Sequence, residues 1–297
     1  MNTRLPNSHQ FVQLRQGRCH FRFEGPERGP LMLLLHGATV PTWELDRIVP
    51  FFKREGFRTL QVDLFGHGYS ACPRVPHDYS LFTDQIRDLL DALDIKDTIH
   101  VLGHSLGAIV ASRLVMAEPR RFGALILVAP LLNYLENNPE TRWLKIPVLG
   151  ELLIPSLVLP MLQRRRTRSY QAIEDGRFVS LFRVQVELPG YGRSLLSLIR
   201  HGALGDQSDC YEALNALQNP VLMIRGTQDR ILKAEQMQSI LQLLPRAKFQ
   251  EISNTGHPLL LTHPEMVAPH VLQFMHDHIN PVPHNNASLI TSDVVAE

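Results

Sequence analysis

The stretch "VLGHSLGA", residues 101 to 108, decides how the rest of the chain is read. The apolar run Thr98 to Leu102 ahead of it has the composition of a strand, and Ala108 to Met116 behind it that of a helix. Ser105 therefore stands between two glycines where one element turns into the other. A G-x-S-x-G turn of this kind is sharp and strained, and Gly103 and Gly107 leave room for it while lifting the serine above the sheet edge. The helix that follows points its partly positive N-terminal end at the same spot. A serine hydroxyl is a poor nucleophile near neutrality. Displaying it there makes chemical sense where a base, a group to orient that base and donors for a developing oxyanion are at hand.

Outward from this turn, short apolar runs alternate with longer segments of helical period, the pattern of a mostly parallel sheet flanked by helices. "FVQLRQG" and "RCHFRFEG" read as an opening hairpin-like pair. "PLMLLLHG", "RTLQVDLFG", "TIHVLGHS" and "ALILVAP" follow as strands, with helices expected near 43–55, 83–93 and 106–118. The alternation fails from about Leu131 to Tyr211, a segment with clustered prolines, an arginine run (Arg164, Arg165, Arg166, Arg168) and no convincing buried strand. It resumes with "PVLMIRGTQD" and "AKFQEIS" and their helices. The expected organisation is a single α/β core over 1–130 and 212–280, a helical cap inserted at 131–211, and a polar, proline-punctuated, disordered tail over 281–297.

The pieces "LLLHGA" (33–38), "VDLFGHGYS" (62–70), "VLGHSLGA" (101–108), "GTQDR" (226–230) and "NTGHPLLLTHPE" (254–265) together resemble the α/β-hydrolase superfamily, in particular its small capped serine hydrolases. The resemblance implies an eight-stranded, mostly parallel α/β sheet and a Ser-His-Asp triad that needs neither cofactor nor metal. Ser105 is the expected nucleophile. Asp229, directly after an apolar strand and between the serine and the histidine in the order Ser, Asp, His, is the expected acid. An alternative position for the acid after "ALILVAP" is filled by Leu131-Leu132-Asn133. Of 14 histidines, His257 in its Gly-His-Pro loop looks like the family's base. His36 resembles a support for the oxyanion loop, and His104 a residue pointing away from the reaction. The expected oxyanion donors are the main-chain N–H groups of Leu106 and Ala38.

Three cysteines without paired spacing argue against a disulfide framework or structural zinc, and a first segment lacking an apolar core leads to the expectation of a cytoplasmic protein. Thirty basic against 29 acidic residues leave a net charge of +1, which disfavours nucleic-acid binding. "GHGYSA" (66–71) fits a dinucleotide pattern but runs into the loop Cys72 to Pro76 instead of a helix. His67, His77 and Asp78 share no ligand spacing and read as solvated loop residues. "IPVLGELLIPSLVLPML" (146–162) is 17 residues long with three prolines and Glu151, too short and broken to span a membrane. It reads as a cap over the site, with transient lipid contact as the lesser alternative. The arginines after it read as a solvated helix face, with an anionic-lipid or carboxylate site as the alternative.

The substrate expected from such a cap is a small-molecule ester with an apolar group, with Trp43, Leu131, Leu132, Phe178, Phe182 and Leu259 as candidate contacts. C–C bond hydrolysis, perhydrolysis and a non-catalytic ligand receptor remain the alternative functions. Nothing in the sequence fixes an oligomeric state.

Overall fold

The computed structural model describes residues 9–171 and 173–279; the tail expected over 281–297 lies outside them. Its centre is an eight-stranded sheet in the order β1-β2-β4-β3-β5-β6-β7-β8. The strands are β1 His9–Leu14, β2 Gly17–Glu24, β3 Leu31–Leu35, β4 Arg58–Val62, β5 Ile99–His104, β6 Phe122–Val128, β7 Val221–Gly226 and β8 Lys248–Ile252. β1 and β2 form the expected hairpin, β2 joins β4 antiparallel, and every pairing from β4 through β3 to β8 is parallel.

The apolar central strands are continuous because both faces are covered. Leu31, Leu33 and Leu35 of β3 project into one core, and Met32 and Leu34 into the other. β6 divides the same way, with Leu125 and Leu127 on the first side and Ala124, Ile126 and Val128 on the second. This two-residue alternation is hidden in a sequence where every position is apolar.

The helix expected over 43–55 forms as two pieces, a 3-10 turn Thr42–Leu45 and α1 Val49–Arg54. Pro50 explains the break, since a residue without an N–H fits the first turn of a helix and not its interior. α2 begins a turn earlier than its apolar pattern indicates, at Tyr79–Ala92, because the Asp78 carboxylate accepts from the Leu81 N–H at 3.0 Å as its N-cap. α3, Leu106–Ala117, follows the Ser105 turn as expected.

Between β6 and β7 the chain leaves the sheet for a purely helical segment, whose longest helices are Leu159–Tyr170, Arg177–Glu187 and Tyr191–Arg200. It departs and returns at one neck, where Asn133 pairs with Asp206 and the Gln207 N–H donates to the Leu132 carbonyl at 2.8 Å. The next helix, Ser208–Asn215, packs on α3 and on the helix Ala234–Leu243. The core thus resumes near Ser208, slightly before the expected 212. Among the described residues no single helix is long and apolar enough to cross a membrane.

Three buried histidines make folding sensitive to acid. His36, His77 and His100 are held neutral, each with its pKa driven down to about 4, chiefly by burial. In the unfolded chain they titrate near ~6.5. Between these values the unfolded state binds the extra protons, so the stabilisation is complete above about pH 6.5 and is lost as pH falls toward 4. Chemical denaturation at a series of pH values should show a midpoint that declines across this window; a flat profile would mean that these rings are protonated in the folded state.

Candidate active site

The two elbow glycines are required by close approach. A Cβ at Gly103 would collide with the Gly107 carbonyl, and one at Gly107 with the main-chain oxygens of Leu35 and His36 at the end of β3. Ser105 takes φ 54° and ψ −113°, a strained conformation for a residue with a side chain, held in place by its N–H donating to the Val128 carbonyl at 2.9 Å. Its hydroxyl makes no hydrogen bond within the described residues and faces a large cleft.

Asp229 and His257 come from the turns after β7 and β8, at the same C-terminal edge of the sheet. The His257 ring nitrogen Nδ1 lies 2.8 Å from Asp229 Oδ2. The other carboxylate oxygen accepts from the N–H groups of Ile231 and Leu232 at 2.7 and 2.9 Å, so the acid both orients the ring and caps its own turn. Burial alone would raise the Asp229 carboxyl, but the His257 contact and these N–H donors hold it below its ordinary range. With Nδ1 engaged by the carboxylate, Nε2 is left for the cleft, which Ser105, Asp229 and His257 all line.

The loop after β3 completes this edge. His36 points inward, its Nε2 accepting from the Leu64 N–H at 2.9 Å and its Nδ1 donating to the Gly37 carbonyl at 2.7 Å, which braces the turn carrying Ala38. Ala38 lines the cleft, and the Leu106 N–H sits at the first position of α3 beside Ser105. No protein acceptor among the described residues takes either N–H.

Beneath these groups lies a pair that the sequence did not reveal. The Glu44 carboxylate, 1% exposed, accepts from the Gly37 N–H at 3.0 Å and from His104 Nδ1 at 2.9 Å. The opposite nitrogen of His104, Nε2, lies 2.9 Å from the His257 carbonyl. Both ring nitrogens thus face pure acceptors, which requires a proton on each and makes the ring an imidazolium. Burial opposes both charges, yet the Glu44 charge raises the His104 pKa, and His104 in turn holds the Glu44 carboxyl down at about 2. One buried ion pair therefore ties the Ala38 loop, the Ser105 elbow and the His257 loop together. No motif marks Glu44, because its partner lies 60 residues away in sequence.

The cleft has a volume of about 1510 Å³. Its walls come from the elbow, the loops after β3, β7 and β8, and the inserted helices, among them Leu153, Ile154, Leu157, Val158 and Leu162. A second cavity of about 300 Å³, around Arg28, Arg58 and Thr98, contains none of these groups. Of the expected substrate contacts, only Leu131 lines the cleft. Leu132 and Leu259 belong to the two cores, and Phe182 is buried. Trp43 and Phe178 stack beside Tyr170 and Leu261 in a small cluster that docks the insertion on the core. Apolar character alone does not distinguish a cleft wall from a packing contact.

The loop histidines His67 and His77 also differ from expectation. His67 and His77 are buried, His67 Nε2 donating to the Ala38 carbonyl at 2.8 Å and His77 bonding the Ser194 hydroxyl at 2.8 Å. The glycines of the "GHGYSA" motif serve packing, since a Cβ at Gly68 would collide with the Asp63 carboxylate.

Glu44→Gln keeps the shape of the buried pair and removes its negative charge. Breaking a buried pair in this way costs about 3–5 kcal/mol. A drop of that size in chemical denaturation is expected, and an unchanged midpoint would show that His104 is neutral.

The chain matches the alpha/beta hydrolase family profile over residues 32–270. It is 30% identical over 247 residues to a pimeloyl-[acyl-carrier protein] methyl ester esterase from Nitrosomonas europaea, covering 80% of this chain and 92% of that one. It is 27% identical over 272 residues to a non-heme chloroperoxidase from Streptomyces lividans, covering 84% and 93%. An enol-lactonase from Burkholderia xenovorans shares its fold with a TM-score of 0.73 at 18% identity, over 90% of this chain and 99% of the other. With a profile match that runs from β3 into the last helix, and with the Ser105 elbow at the edge of a mostly parallel eight-stranded sheet, this chain belongs to the alpha/beta hydrolase family.

Proposed function

We propose that this protein is a serine hydrolase that cleaves carboxylic esters bearing an apolar group. The observation that carries the reading is the 2.8 Å Asp229–His257 contact, which leaves His257 Nε2 facing the cleft where Ser105 is displayed at φ 54°. In this reading His257 takes the Ser105 proton as Oγ attacks the ester carbonyl. The N–H groups of Ala38 and Leu106 receive the oxyanion, each worth on the order of 3 kcal/mol in the transition state. Collapse of the tetrahedral intermediate expels the alcohol, which receives the proton from His257, and leaves an acyl-enzyme. Water, deprotonated by His257, then releases the acid and restores Ser105. The apolar side chains of the inserted helices supply the wall for the hydrocarbon part of the substrate and support reading that segment as a cap.

A series of p-nitrophenyl esters from acetyl to long acyl chains should be hydrolysed with an optimum at one chain length. Activity should fall by about 10⁴-fold or more in Ser105→Ala. A fluorophosphonate probe that labels Ser105 while every ester resists hydrolysis would redirect the reading to C–C bond cleavage. Absence of labelling in folded protein would overturn the catalytic role.

Burial lowers the His257 pKa, the Asp229 charge opposes that shift, and the His104 charge reinforces it, leaving the ring below its ordinary value of 6.5. The base must be neutral to accept a proton, so the acid limb of kcat/KM should be centred below pH 6.5. An acid limb centred above 6.5 would contradict this environment.

A further inference from the structure

The cleft carries positive charge that the hydrolytic groups do not use. Five arginines line it, Arg164, Arg165, Arg166 and Arg168 on the helix Leu159–Tyr170 and Arg230 after β7, against three carboxylates. Two of those carboxylates are already engaged, Glu44 by His104 and Asp229 by His257, and the third, Glu140, sits on the insertion. Among the described residues none of the four arginines on that helix lies within ion-pair distance of a carboxylate. Arg164, Arg165 and Arg168 are exposed, as a solvated helix face would be. Arg166 is not.

Arg166 is drawn into the cleft and fixed there. Its Nη2 donates to Thr39 Oγ1 at 2.7 Å, and its guanidinium lies 5.5 Å over the ring of the fully buried Tyr170. Thr39 is the neighbour of Ala38, and its carbonyl accepts from the Tyr191 hydroxyl at 2.9 Å. The guanidinium is thus held between its own helix and Thr39, which a second inserted helix braces through Tyr191. Its Nε is buried and finds no acceptor among the described residues. A guanidinium stays charged at any pH the protein survives, and a buried donor without a partner is unfavourable. A cation held this way, with a free donor and no carboxylate within ion-pair distance among the described residues, in a cleft whose other wall is Leu153, Ile154, Leu157 and Val158, fits a ligand with an apolar stretch and an anionic group.

We propose that the cleft takes esters that carry a second, anionic group, a carboxylate or a phosphate, and that Arg166 binds that group. The exposed arginines beside it raise the local potential and draw the anion toward the cleft. This assignment rests on the hydrolase reading of the same cleft and narrows its substrate class.

The test compares binding of three methyl esters of matched length, methyl hexanoate, monomethyl adipate and the methyl ester of 6-phosphooxyhexanoate, to Ser105→Ala by calorimetry. One anionic ester should bind at least about tenfold more tightly than the neutral one, the range of a charge-assisted hydrogen bond. The better of the two identifies carboxylate or phosphate as the group recognised. The preference should weaken as salt is raised, and should shrink toward unity when Arg166→Gln is added while Arg166→Lys retains part of it. If the arginine variants do not fold, the same ratio is measured by calorimetry on Ser105→Ala carrying Thr39→Val, which removes the acceptor that holds Arg166 in place, and it should likewise shrink. Equal binding of the neutral and both anionic esters overturns the assignment, as does a preference that survives Arg166→Gln unchanged. Because binding is measured on a chain without the Ser105 hydroxyl, its outcome is separate from the ester-hydrolysis assay, whose failure would count against the hydrolase reading alone.

Discussion

The site depends on one close approach, that of the first turn of α3 to the end of β3. Gly107 lies against the carbonyl oxygens of Leu35 and His36, and Gly103 against Gly107 itself, so the chain passes from β5 to α3 without a loop. Any side chain at either position would push α3 off the sheet. With none there, Ser105 has little freedom. It is held at an unfavourable φ beside the loop that carries Ala38, with the Leu106 N–H next to it. The strain is sustained by strands buried on both faces, since a parallel sheet packed on two sides cannot relax locally without opening one of its cores.

What joins the separate loops of the site is electrostatic. Asp229 orients His257 directly, but the position of His257 relative to the elbow is also set from below, by an imidazolium bonded to its main chain. That cation, His104, is the residue before the serine, and its counter-ion Glu44 holds the N–H of Gly37. Three turns from distant parts of the chain therefore meet on one ion pair with essentially no access to water. A buried pair of this kind adds little net stability, because desolvation offsets the attraction. Its clearer contribution is geometric: the carboxylate and the imidazolium leave few ways to arrange the three turns.

The helical insertion adds a wall of different chemistry. Its apolar residues line one side of the cleft, and its arginines make it cationic near the Ala38 loop. The same helices are tied to that loop through Thr39, which binds both Arg166 and Tyr191. Trp43, Tyr170 and Phe178 fasten the insertion from outside the cleft. The inserted helices and the Ala38 loop are coupled through these contacts, since a movement of the helix Leu159–Tyr170 reaches the residue next to Ala38.

The sequence by itself determined those features that rest on local chemistry. A serine flanked by two glycines between strand-like and helix-like runs fixed the elbow, because only glycine tolerates such an approach. The order of apolar runs determined the sheet, and the break in that order located the insertion. Asp229 and His257, which lie 2.8 Å apart, could be picked out because each sits in the loop after a late strand, in the order that the resemblance implies. Only the tertiary structure decided which apolar residues face the cleft and which fill the core, separating Leu131 from Leu132, Trp43, Phe178, Phe182 and Leu259. It also turned two loop histidines, His67 and His77, into buried braces, singled out Arg166 from a run of similar residues, and gave Glu44 its partner. The reason is common to all of them. Burial and ion pairing depend on what lies across space, and residues separated by dozens of positions leave no trace of their contact in the order of the chain.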